Sequence, residues 1–252
     1  MTLVLLPNNV WHDAAQITVT DASNVATGDT AGLENVIGGP RSLAWSSSDS
    51  GARRIVLVNK AGGLGCSHVV LARADRHAGK SVSVLSWSNY PSASNTEFSS
   101  ASFSATLVGP RAQDWVLPLA LSGKQAIGLS LNSADYTKDV YKLFVSNGLS
   151  FVHHTAPSFQ ILPFPSRHQY RRQTFLVDTE WNFFVEQLTR AEVDAFEAIP
   201  NLLSEPMFVY DPDGHSIYHK NLHGIVTAYQ TLAAFDDLYQ LSFTVRELRQ
   251  WP

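Results

Sequence analysis

Cysteine is almost missing from this chain. Cys66 is the one thiol in 252 residues, which excludes an intramolecular disulfide and any Cys-rich zinc site and leaves stability to packing. Charge is scarce too: 18 Lys and Arg and 22 Asp and Glu make up 16% of the residues and give a net charge of -4. No basic field exists to concentrate nucleic acid or to hold the chain on an anionic membrane. No run approaches the roughly 18–20 apolar residues of a membrane span, so insertion is not expected. Met1–Pro7 has no basic n-region, and its apolar run stops at Pro7, too short for a signal peptide; synthesis in the cytosol is the expectation.

Aromatic and turn-forming residues are plentiful: 6 Trp, 8 Tyr, 13 Phe, 15 Gly and 12 Pro. A disordered chain carries more charge and fewer aromatics, because it cannot bury enough apolar area to offset its ordering entropy. At this length, one large or two smaller folded domains are expected.

The first 150 residues read as short strands between turn clusters: 16–20, 54–59, 67–73, 80–87, 101–108, 115–121, 125–131 and 140–145. Val82 and Val84, and Phe103, Ala105 and Leu107, alternate with Ser as half-buried strands do. Eight such strands predict a β-sandwich or jelly roll over residues 1–152. Residues 153–168 hold three Pro in nine positions, which predicts an extended, semi-rigid linker without regular pairing.

Residues 169–252 predict a small α+β domain. Thr189 followed by Glu192 is a capping box, with Leu188 placed to staple onto Val193. Val193, Phe196 and Ile199 share one face, and Pro200 ends a helix over 190–199. Strands are expected at 170–177, 206–210, 222–230 and 238–248, with a turn at Asp211–Gly214.

No motif carries catalytic, cofactor or metal chemistry. Gly62-Gly-Leu-Gly65 lacks the Lys-Ser/Thr of a P-loop, and His68 stands where a dinucleotide fingerprint needs its third Gly, so it reads as a turn. Cys66 reads as a buried structural thiol. Ser67 and His68 are strand neighbours, which point to opposite faces and so are not expected to pair. His215, His219 and His223, spaced by four, lie roughly 13 Å apart per step on a strand, too far for one ion. Trp45, Trp87, Tyr90 and Trp115 suit either a core or a sugar-stacking platform. Of these, Trp87 and Tyr90, beside Ser and Asn in an expected loop, are the candidate exposed contacts for a glycan or a partner.

The order of several segments carries a resemblance. Cys66-Ser-His-Val-Val-Leu-Ala-Arg73-Ala-Asp75, Ala105-Thr-Leu-Val-Gly-Pro110-Arg-Ala-Gln-Asp114-Trp115 and Lys142-Leu-Phe-Val-Ser-Asn-Gly-Leu-Ser-Phe151 resemble parts of tail-tip structural proteins of tailed bacteriophages. So do Tyr170-Arg-Arg-Gln-Thr-Phe, Pro206-Met-Phe-Val-Tyr-Asp-Pro and Leu241-Ser-Phe-Thr-Val-Arg-Glu-Leu248. The likeness covers roughly residues 33 to 248. It implies a virion protein of the distal tail or baseplate, made in the host cytoplasm, with a galactose-binding-like jelly roll and a C-terminal tail-ring domain. Such proteins assemble as rings that link the tail tube to the adsorption apparatus, and they offer no catalytic residues to carry over. The expected partners are further copies of the chain and other tail proteins; the alternative is a carbohydrate-binding module that contacts host polysaccharide.

Overall fold

The computed structural model describes residues 2–7, 10–11, 14, 16–23, 25–37, 44–73, 77, 79–90, 103–106, 114–152, 154–155, 157–170, 173–212, 221–234 and 237–250. In chain order these form β1 (Leu3–Leu6), β2 (Gln16–Thr20), α1 (Leu33–Ile37), β3 (Trp45–Ser46), β4 (Arg53–Val58), β5 (Leu64–Ala72) and β6 (Ser81–Trp87). There follow β7 (Phe103–Thr106), β8 (Asp114–Lys124), β9 (Ala126–Leu131), β10 (Asp139–Val140), β11 (Lys142–Ser146) and β12 (Leu149–Phe151). The rest is β13 (Ser158–Tyr170), β14 (Gln173–Leu188), α2 (Arg190–Glu197), β15 (Met207–Tyr210), β16 (Asn221–Ala233), β17 (Tyr239–Glu247) and β18 (Arg249–Gln250). The protein is mainly β, with a minor helical part.

Two compact units emerge, and their boundaries differ from the sequence expectation. Residues 8–147 form one; residues 1–7 join 148–252 in the other. The reason is β1, whose four apolar residues pair with β12 on one side and β15 on the other. A short buried strand is indistinguishable by composition from any other apolar run, so the N-terminal heptapeptide gives no sign of its distant partners.

Within 8–147, the antiparallel order β2-β4-β9-β6-β7 makes a five-stranded sheet, and β11-β5-β8 a three-stranded one. Ile55, Leu57, Ile127, Leu129, Val82 and Val84 of the first share a core with Leu64, Val69, Leu71, Leu143 and Val145 of the second. The alternate residues of the larger sheet, Val56, Val58, Leu85, Trp87 and Ala126, are buried as a separate cluster. Both faces of β4 and β9 are therefore covered, which is why they read as continuous apolar runs. Lys138 is 0% exposed; its ammonium donates to the carbonyls of Ser50 and Tyr136 and lies 4.7 Å from the centre of the Tyr136 ring. These contacts tie together the turns before β4 and before β10.

The other unit has the strand order β12-β1-β15-β16-β17-β14-β13, with β18 on β14. Trp181, Phe183, Val185, Val226, Leu241, Phe243 and Val245 bury one face against Val193 and Phe196 of α2. The helix begins as its sequence dictates: Thr189 Oγ1 accepts from the Glu192 amide, and the Glu192 carboxylate accepts from the Thr189 amide. Leu188 and Val193 are both buried in that core.

The expected linker is a correction. Its C-terminal part is β13, paired with β14 from Ser158↔Asn182 to Ile161↔Thr179, and again from Ser166↔Val177 to Tyr170↔Gln173. Pro163 and Pro165 fall in the register break between Ile161 and Ser166. Prolines, having no N–H to donate, are tolerated where the ladder is interrupted and at an edge.

Candidate interaction surface

β13 lies at the end of the strand order, with β14 as its neighbour. β14 itself is used in two halves. Glu180–Leu188 pairs with β17, whereas Phe175 and Leu176 have β13 on one side and the two-residue β18 on the other. The β13–β14 hairpin thus runs past the body of the sheet as an arm. Its base is fixed by Leu162, packed against Val177, Ile225 and Leu248, and by Glu180, whose carboxylate accepts from Arg246 and from Gln160. The Arg246 hydrogen bond is the largest influence on the Glu180 carboxyl and holds it below the usual carboxylate range against the opposing effect of burial.

This arm carries three exposed large apolar side chains, Phe164 at 86%, Ile161 at 74% and Phe159 at 58%. Phe159 sits 5.1 Å, ring centre to ring centre, from Trp181, which roots the strip in the core. Pro163, Pro165 and the register break blunt this edge for strand pairing, so it is the exposed apolar strip that offers a contact surface. The expected linker spans these residues; the sequence signal for them is the alternation of Phe159 and Ile161 with polar Ser158 and Gln160.

Trp87 and Tyr90, the residues expected to be exposed contacts, are brought together but not as a platform. Trp87 is 1% exposed, its ring 5.3 Å from Tyr90 and edge-on to it. Trp87 closes β6 instead of lying in a loop, and a sheet strand whose two faces are both covered offers no face for sugar. Tyr90 is half-buried; burial pushes its hydroxyl up, and its amide donates to Gln125 Oε1.

Ser67 and His68 also correct the expectation. Ser67 Oγ lies 2.9 Å from His68 Nδ1. Cys66 and Val69 both face the core, so the two residues between them both point outward, and the register shift between Cys66 and His68 is the bulge responsible. Ser67 Oγ also donates toward Ser146 O at 3.3 Å. Burial pushes the His68 imidazole down and the Cys66 thiol up to about 12, the latter in keeping with an inert structural thiol.

Gly62 and Gly63 adopt positive φ in a turn closed by the Gly62 amide on Asn59 O. His223 is buried in β16, its ring 5.0 Å from that of Phe208; His215 and His219 lie outside the described residues. No group of three His, Cys, Asp or Glu placed to hold a metal occurs among the described residues. No described helix is long and apolar enough to cross a membrane. No family model matches the chain, and no curated protein is found as a relative.

Proposed function

We propose that this protein is a self-assembling structural subunit of a phage tail tip or baseplate, forming a ring that links the tail tube to the adsorption apparatus. The observation that carries the reading is the arm: a long edge strand with three large apolar side chains in solvent. An exposed strip of this kind is maintained where it is covered in the working state. Contacts between unlike patches of identical subunits close into rings when the rotation allows. The two facing sheets of residues 8–147, with one shared core, suit a galactose-binding-like jelly roll carried as a second module, and the resemblance of the ordered segments supplies the tail-tip context.

The test is the composition of particles produced from the genome that encodes this chain. Mass spectrometry of purified virions should find it at a fixed multiple per tail, and gold-labelled antibody should mark the distal end of the tail. Absence from washed particles overturns the reading.

A further inference from the structure

The apolar strip of β13 is uncharged and held in shape. Residues 157–166 contain no ionisable side chain. Phe159 and Ile161 fall within the unbroken ladder from Ser158↔Asn182 to Ile161↔Thr179, and side chains two apart share one face of a strand. Gln160, between them, faces the other way, where its amide donates to Glu180. Phe164 stands between Pro163 and Pro165 in the register break, and a residue before proline is held extended. Phe159 rests on Trp181, and Leu162 on Val177, Ile225 and Leu248. A surface fixed in this way before contact costs little ordering when it is covered.

Its area matches that of a stable contact. A standard interface covers roughly 800 Å² per partner, of which a little over half, on the order of 450 Å², is apolar. Phe159, Ile161 and Phe164 together supply on the order of 400 Å² of apolar surface. One strip on each side is therefore enough, provided that the partner brings a strip of the same size.

A second copy brings such a strip. Val152, Leu203, Tyr229 and Leu232 are also exposed on this unit, but they do not line up into a matching surface. Tyr229 and Leu232 lie three apart on β16 in unbroken register, opposite Phe243 and Gln240, and so point to opposite sides of the sheet. Val152 follows β12 and Leu203 follows α2. Charge also permits self-contact: identical charged faces repel each other across a two-fold axis, whereas a strip without ionisable groups meets its own copy at no electrostatic cost.

We infer that the strip is an isologous contact, in which Phe159, Ile161 and Phe164 of one copy pack against the same three residues of a second copy about a two-fold axis. This pairing rests on the self-assembly reading above and fixes the symmetry of one of its contacts. Ring closure then uses other surfaces, and a closed assembly in which every subunit uses its strip contains an even number of copies.

The experiment exploits the near-absence of cysteine. Cys66 is buried, so a thiol introduced at an exposed position is the one available to a short bismaleimide cross-linker. Ile161 is the middle residue of the strip; across a two-fold axis it meets itself, whereas in a head-to-tail contact it meets a different residue. The full-length Ile161→Cys protein should be coupled into a covalent dimer at least tenfold faster than Leu203→Cys, which reports random collision. In parallel, Ile161→Ser with Phe164→Ser, two exposed positions at which native melting is expected, should weaken assembly in light scattering by about tenfold or more.

Equal coupling of Ile161→Cys and Leu203→Cys, with assembly still weakened by the two serines, would overturn the two-fold arrangement. Assembly of the serine form as tight as that of the wild type would remove the strip from the interface and leave the self-assembly reading in place. A wild type that stays monomeric at every concentration would overturn strip pairing, while the tail-tip assignment is decided separately by the composition of the virion.

Discussion

The Trp87 indole lies against the backbone of Gly128: a Cβ on Gly128 would stand 3.0 Å from its Cζ3 and 3.3 Å from the carbonyl oxygen of Ile55. The missing side chain is what allows the indole to approach the backbone of β9, the middle strand of the five-stranded sheet, this closely. Gly128→Ala should lower stability by about 1–3 kcal/mol through overpacking, and Trp87→Ala by about 3–5 kcal/mol through the cavity it leaves. Chemical denaturation checks both. If Trp87→Ala left the melting curve unchanged, the burial assigned to it would be wrong.

The capping box at α2 should be worth about 1 kcal/mol. Thr189→Ala removes the acceptor for the Glu192 amide, and the loss of an N-cap hydroxyl typically costs that much. Thr189→Asp, which keeps an acceptor and suits the helix N-terminus, should restore most of it. A guanidinium denaturation series on the three proteins makes the comparison.

Glu180 gives the arm an acid dependence of determinable sign. Its folded carboxyl is held below the ordinary value, chiefly by Arg246, so its stabilising contribution is full above the unfolded carboxylate value and fades as pH falls through the lower, folded one. The wild type should lose stability on acidification below about pH 4 more steeply than Glu180→Gln, whose loss of about 1 kcal/mol near neutrality is already in place. Parallel slopes for the two proteins would remove Glu180 from the account.

Cys66 should be silent in the native state. With its thiol pushed up to about 12 and fully buried in the core, the thiolate is scarce at pH 8, and a disulfide reagent should label it only as fast as the protein opens. Complete labelling in denaturant, with slow labelling in buffer, is the expected pair of results.

Much of the fold is legible in local chemistry. Alternation marks β6 and β7, and Thr189 with Glu192 marks the start of α2 to the residue, because in each case the deciding contacts are near in sequence. What was not legible depends on partners far away. Leu3–Leu6 is a strand only because residues 149–151 and 207–210 flank it, and Pro163 and Pro165 suggested a linker because the register break that absorbs them appears only once β14 is opposite. The outward pairing of Ser67 with His68 came from a bulge that strand periodicity does not anticipate. Trp87 was misplaced for a similar reason: its Ser-rich flank suggested a loop, while Gly128, the residue that receives its ring, is 41 positions away. The arm was hidden inside the same supposed linker.

The most direct measurement is the mass of the purified wild-type chain by light scattering across a concentration series at low and high salt. The account predicts a closed oligomer of fixed stoichiometry whose mass falls toward the monomer as dilution increases. A strict monomer of 27.7 kDa at every concentration and salt would contradict it.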